Sequence, residues 1–208
     1  MKQLKKTSAL LFSISVITAC GTDTQSQGSV TLENASFAGN KLDYDPMMNG
    51  CGNLTIEQLA QHYEVKASQA IADDFRFAYG RTPDANSKPG CTFRITFDED
   101  KHDYLSGGAS YIPDVKDSEG FNEVMQIQGH GENWLEAWEL DQQISGSETV
   151  PDIGKAALWN SKKRELKIRF EGYTAFVVAP GSAINAQENA KNRDYKSIAI
   201  GLAKQIGL

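Results

Sequence analysis

The densest run of side chains able to do chemistry is Asp98-Glu99-Asp100-Lys101-His102-Asp103. Its oxygens could surround a calcium ion, yet an EF-hand loop needs glycine at its sixth position and glutamate at its twelfth, and this run has neither. It reads as a solvated, charged loop, and no metal site is assigned. His130 stands between Gly129 and Gly131, near Glu132 and Trp134, where a flexible backbone can present an imidazole as acid, base or ligand. No nucleophile shares its motif, so no catalytic residue is assigned. Ser106, Ser110 and Ser182 lie near glycines but not in a nucleophile elbow, and the three histidines of the chain are scattered. Trp134, Trp138 and Trp159 offer wide rings with an N–H handle, and with His130 they form the candidate ligand pocket; the plainer role for each ring is core. Phosphate-loop and dinucleotide patterns are missing, so no cofactor is expected.

The elements that position these residues begin with a leader. Lys2, Lys5 and Lys6 precede the apolar stretch Ala9 to Ala19, which is too short for a mature membrane span and has the form of an export signal, residues 1–19. Its end, Ile17-Thr18-Ala19-Cys20, resembles the lipobox of bacterial lipoproteins. That resemblance implies a diacylglyceryl group on the Cys20 thiol, cleavage before it and a palmitate-type acyl chain on the new amino terminus. Several chains are needed because each buried methylene contributes only about 0.8 kcal/mol. By resemblance to enterobacterial sorting rules, in which an aspartate after the lipidated cysteine implies inner-membrane retention, Gly21 favours a periplasm-facing place on the outer membrane. The alternative is an ordinary signal peptide with a chance cysteine.

Three cysteines become an even pair once Cys20 carries lipid, leaving Cys51 and Cys91 to form a disulfide in an oxidising compartment or to stay as two buried thiols. The full chain has 21 basic and 27 acidic residues; loss of the three leader lysines takes its net charge from −6 to about −9. A nucleic-acid backbone needs a cationic footprint, and no stripe of lysine and arginine with interleaved aromatics is visible. The acidic balance suits a soluble module or a basic partner.

Residues 20–50 read as a lipidated N-terminus and tether, with Tyr44 to Met48 as a docking segment, and residues 51–208 as one domain. Thr55 and Gln58 form a capping-box pattern before Ile56, Leu59, Ala60 and Tyr63, which share one helical face; His62 falls off that stripe, on the surface. Period-two alternation predicts strands over 74–80 and from Cys91 to Phe97, and the polar residues 98–120 predict a long exposed loop. Asn133 and Glu136 cap a second helix bearing Trp134, Leu135 and Trp138. A short strand at Ala157-Leu158-Trp159, a hairpin turning at Glu171-Gly172, and a final helix with Tyr195, Ile198, Ala199, Leu202 and Ile206 follow. Hairpins beside terminal helices make an α+β class.

Several of these features together resemble a family of small bacterial envelope lipoproteins of unknown function, best represented in actinobacteria. They are Cys20, Cys51 with Leu54-Thr55 and Gln58, Cys91 entering a strand, Val150-Pro151-Asp152-Ile153-Gly154 with Ala157 and Trp159, the hairpin, and the closing helix. The chain departs from that family with Lys155 in Ile153-Gly154-Lys155-Ala156-Ala157 and with extra length between Cys91 and Val150. The resemblance implies a PsbP-like fold, a curved and mostly antiparallel sheet with helices on its faces, used for binding. The expected function is therefore a non-catalytic binding or assembly module, with the bilayer, an envelope protein or a small apolar ligand as partner. An inhibitor or immunity protein against a basic hydrolase is the alternative, and a periplasmic hydrolase using His130 comes last.

Overall fold

The computed structural model describes residues 42, 44–77, 88–97, 104–114, 134–182 and 191–208. All of them fall in the second of the two units into which the chain divides, Thr31–Leu208. The fold is α+β. Strands β1 (Ala70–Asp74), β2 (Gly90–Thr96), β3 (Tyr104–Pro113), β4 (Ser147–Thr149), β5 (Ala156–Asn160), β6 (Glu165–Phe170) and β7 (Tyr173–Gly181) make one sheet in the order β1-β2-β3-β7-β6-β5-β4. Every neighbouring pair is antiparallel. The helices are α1 (Ile56–Tyr63), α2 (Trp134–Gln142) and α3 (Tyr195–Ile206). No helix among the described residues is long and apolar enough to cross a membrane.

Cross-strand register sorts the side chains onto two faces, because residues directly opposite one another point the same way. Cys91, Ala109, Val177, Leu166 and Trp159 form one continuous row, and Tyr111, Ala175, Ile168 and Ala157 form the next. All nine are buried, and α1 and α3 close over this face with Leu59, Ala60, Tyr63, Ala199, Leu202 and Ile206. Helix α1 starts where the capping box places it: Gln58 donates its amide to Thr55 Oγ1 at 3.2 Å, and Thr55 donates its own to Gln58 Oε1 at 2.9 Å. His62, expected on the surface, is half-buried between the helices. Its Nε2 lies 3.1 Å from Gln205 Oε1, and Gly201 leaves the space its ring needs.

Two expectations are corrected. The run 98–120 is not one long loop: residues 104–113 are β3, in the interior of the sheet between β2 and β7. Its small residues hid it. A Cβ on Gly108 would sit 2.5 Å from the Cys91 carbonyl oxygen, and one on Gly107 would sit 2.3 Å from that of Val178, so close approach demands residues of low strand propensity. Of the strand expected over 74–80, Asp74 is the last residue of β1, Phe75 to Phe77 turn away, and 78–80 lie outside the described residues. That turn is held by the buried Arg76. Its guanidinium donates to Asp74 Oδ1 at 3.0 Å, to Asp74 Oδ2 at 2.7 Å, to the Pro46 carbonyl at 2.5 Å and to the Met48 carbonyl.

The same clasp secures the segment expected to dock. Tyr44 packs on Tyr173 with centroids 5.9 Å apart, and Tyr173 donates its hydroxyl to the Leu42 carbonyl. Residues 44–50 thus pack on the folded body instead of belonging to the tether. The Cys51–Cys91 disulfide is present, with Cα atoms 4.7 Å apart, and joins the entry of α1 to β2.

Candidate functional site

The second face of the sheet has a different composition. Its rows run Ser110, Phe176, Lys167, Leu158 and Gly108, Val178, Glu165, Asn160, Ser147, with Ile112, Thr174, Arg169, Ala156 alongside. Strand β6 therefore sends Leu166, Ile168 and Phe170 to the dry face and Glu165, Lys167 and Arg169 to this one. Alternation alone would leave these charges in water, but Lys167 and Arg169 are buried.

Helix α2 is what covers them. Trp134 lies over the Arg169 guanidinium at 5.0 Å, and Trp138 lies over Lys167 Nζ at 5.0 Å, so two indoles one turn apart roof two cations two residues apart. Each cation also has a carboxylate. Arg169 grips Asp114 with both terminal nitrogens at 2.6 Å, a bidentate pair shielded from solvent. Lys167 Nζ donates to Asp141 Oδ2 at 2.6 Å, and Asp141 comes from the last turn of α2, one turn beyond Trp138.

Beyond the end of α2 the cover stops and a groove of about 460 Å³ opens. Its floor is the sheet: Leu158, Phe176 and Val178 supply apolar surface, and Ile144 overhangs from the turn after α2. Asn160 and Ser147 close one end through a 3.0 Å hydrogen bond between their side chains, and the Asn160 amide oxygen accepts the backbone amides of Lys162 and Lys163 at 3.1 Å each. Glu165 projects into this groove with only a quarter of its side chain exposed. Burial raises its carboxyl above the ordinary range; Lys163 and Lys167 pull against that rise, and Asp141 adds to it. Its ion pair is with Lys163 at 4.0 Å, and Lys163 is mostly in solvent.

The expected pocket residues part company here. Trp134 and Trp138 meet edge to face at 6.1 Å on α2, above the second face. Trp159 points to the opposite side, in the core with Leu166. His130, Asn133 and the acidic run 98–103 lie outside the described residues. Ser106 and Ser110 belong to β3, and Ser110 lines the groove, whereas His62 sits between α1 and α3 on the other face, so the two do not meet. Among the described residues no three metal-ligating side chains come together. A wider hollow of about 820 Å³ lies where α1 meets α3, with Lys191 over Phe97 at 4.2 Å and Arg193 over Tyr63 at 5.1 Å.

What sequence reasoning missed is the row Glu165, Lys167, Arg169. The available signal was the excess of charge that α2 must meet: two tryptophans at helical spacing, followed by Asp141 on the same face, make an unusual surface for a helix that caps an apolar core. No family model matches the chain, and comparison with curated proteins and with solved structures found no match either.

Proposed function

We propose that this chain is a lipid-anchored, non-catalytic binding module of the bacterial envelope, tethered to the outer membrane through acylated Cys20 and holding a small ligand in the groove beyond α2. The observation that carries the binding half is the groove itself. Its volume of about 460 Å³ suits a small molecule, its floor is apolar, and a few polar groups stand at fixed places around it. It is built on one face of a sheet whose other face is a packed core, so ligand contacts rest on a rigid support.

The anchor is supported from two sides. Ile17-Thr18-Ala19-Cys20 has the pattern for acylation, and Cys51 and Cys91 bond to each other, which leaves Cys20 as the odd thiol and suits an oxidising compartment. The non-catalytic half is supported by how the groove spends its polar groups: Lys167 is held by Asp141, and Asn160 by Ser147 and two backbone amides.

The test has two arms. Cells fed radiolabelled palmitate should label the wild-type chain and not Cys20→Ser, and the label should fractionate with the outer membrane; unlabelled wild type sinks the anchor. Native mass spectrometry of chain purified from envelopes should show a small-molecule adduct that Ser110→Trp, which fills the groove, removes. An adduct that survives the tryptophan places binding elsewhere.

A further inference from the structure

Of the two carboxylates that line the groove, Asp141 is held by a close lysine and Glu165 is not. Lys167 is engaged by Asp141 at 2.6 Å and roofed by Trp138, and Asn160 donates to Ser147 while its amide oxygen accepts two backbone amides. Glu165 is different. Among the described residues its ion pair is the 4.0 Å approach of Lys163, whose side chain is 59% exposed, a separation and exposure at which water screens most of the attraction. The carboxylate is three-quarters covered, and its direct cross-strand neighbours are Val178 on one side and Asn160 on the other. Leu158 and Phe176 lie one row away on the same floor, and Ile144 overhangs from the turn after α2.

A largely desolvated carboxylate beside apolar surface is complementary to a positive head on an apolar body. Such a ligand replaces the lost solvation of Glu165 while its hydrocarbon covers Phe176, Val178 and Ile144. An anionic head in the same place would meet Glu165 and Asp141 together, with Lys167 already committed to Asp141 and the exposed Lys163 left to receive it among the described residues. A neutral apolar molecule would cover the floor and leave the carboxylate buried without a counter-charge.

Resting on the reading of the groove as a binding site, we infer that its ligand is an amphiphilic organic cation, an ammonium or guanidinium group on a short hydrocarbon body, with Glu165 as the residue that selects the charge. Lys163 is the internal stand-in for that cation: the ligand displaces a loosely held, solvent-exposed side chain and takes its place against Glu165.

The experiment uses the full chain carrying Cys20→Ser, titrated with hexylammonium, 1-hexanol and hexanoate while side-chain NMR signals of Leu158, Phe176 and Val178 are followed. Hexylammonium should bind tightest and hexanoate weakest, with about a tenfold gap between them for one compensated against one repelled charge. Glu165→Gln should shrink that gap to about twofold, and Lys163→Met should widen it by removing the internal competitor. A cooperative thermal melt for each variant establishes that it folds. Hexanoate binding as well as hexylammonium, or a gap that survives Glu165→Gln, overturns the cation selectivity and leaves the groove as a binding site. If none of the three probes moves the groove signals, the binding site falls too, and the inference with it.

Discussion

The two faces of the sheet are made by the same strands with the same alternation, yet they solve different problems. On the dry face, Phe170 stacks on Tyr173 at 4.9 Å and the neighbouring side chains are fully buried hydrocarbon and aromatic groups. On the other face, Arg169, the residue before Phe170, is nearly as buried but lies between Asp114 and the Trp134 ring. Alternation decides which side chains share a face; it does not decide whether the second face meets water. What decides that is a helix able to bring counter-charges and aromatic faces to the buried cations, and α2 brings Asp141, Trp134 and Trp138.

The difference can be broken at adjacent positions of β6. Phe170→Ala should cost about 3–5 kcal/mol, because it removes a large ring and leaves a cavity that a sheet cannot collapse to fill. Urea unfolding monitored by circular dichroism measures it; a cost under about 1 kcal/mol would mean that the dry face is loosely packed. Opening the Cys51–Cys91 bond with paired serine substitutions should cost about 4 kcal/mol in the chain-entropy model for a span of 40 residues. The bond tethers the dry face alone. The groove signals in the NMR spectrum should therefore move less than those of Phe93 and Tyr111 under native conditions.

Arg169→Met should cost about 3 kcal/mol, since it strands the Asp114 carboxylate in a covered site. The loss has a different origin from that of Phe170, and a second substitution exposes it. Adding Asp114→Leu to Arg169→Met should restore most of the stability, because apolar pairs replace buried ion pairs at little net cost. No second-site change of charge would rescue Phe170→Ala. If the double variant is no better than the single one, Arg169 acts by packing its stem under Trp134 and not by its charge.

How much of this was legible in the sequence follows the same division. The dry face announced itself: Cys91, Phe93 and Ile95 on β2, Leu166, Ile168 and Phe170 on β6, and the stripe Ile198, Leu202, Ile206 on α3 all point inward as their periods require. The capping box at Thr55 and the hairpin turn at Gly172, whose φ of 82° suits glycine, were equally readable. What could not be read was tertiary. Lys167 and Arg169 look like any solvent-facing pair until a helix more than two dozen residues upstream in the chain arrives to cover them. Trp159 looks like a partner for Trp134 and Trp138 until register turns it to the opposite side. Strand β3 was concealed by its own function, since the glycines that let β2 and β7 come close are the residues that suggest a loop.

The smallest effect separates two carboxylates by sign. Burial alone would raise Asp74, but the Arg76 guanidinium and the backbone amides of Gly50 and Arg76 outweigh it and hold the carboxyl below its ordinary value of 3.8. Glu165 lies above its ordinary value of 4.5 because burial there wins over Lys163 and Lys167. By linkage, Asp74 contributes stability that is complete above 3.8 and is lost as the pH falls through its depressed folded value. Glu165 does the reverse. Its folded form binds a proton more readily than its unfolded form, so it weakens the fold at neutral pH, and that penalty disappears as the pH drops from its raised folded value towards 4.5. Asp74→Asn should therefore be less stable than wild type at pH 7, with the deficit closing in acid, while Glu165→Gln should be slightly more stable at pH 7, with the advantage closing in acid. Urea midpoints across pH for the two variants make the comparison. A Glu165→Gln curve below wild type at pH 7 would mean that the carboxylate is held in place by Lys163 and serves the fold, leaving the groove no charge to give a ligand.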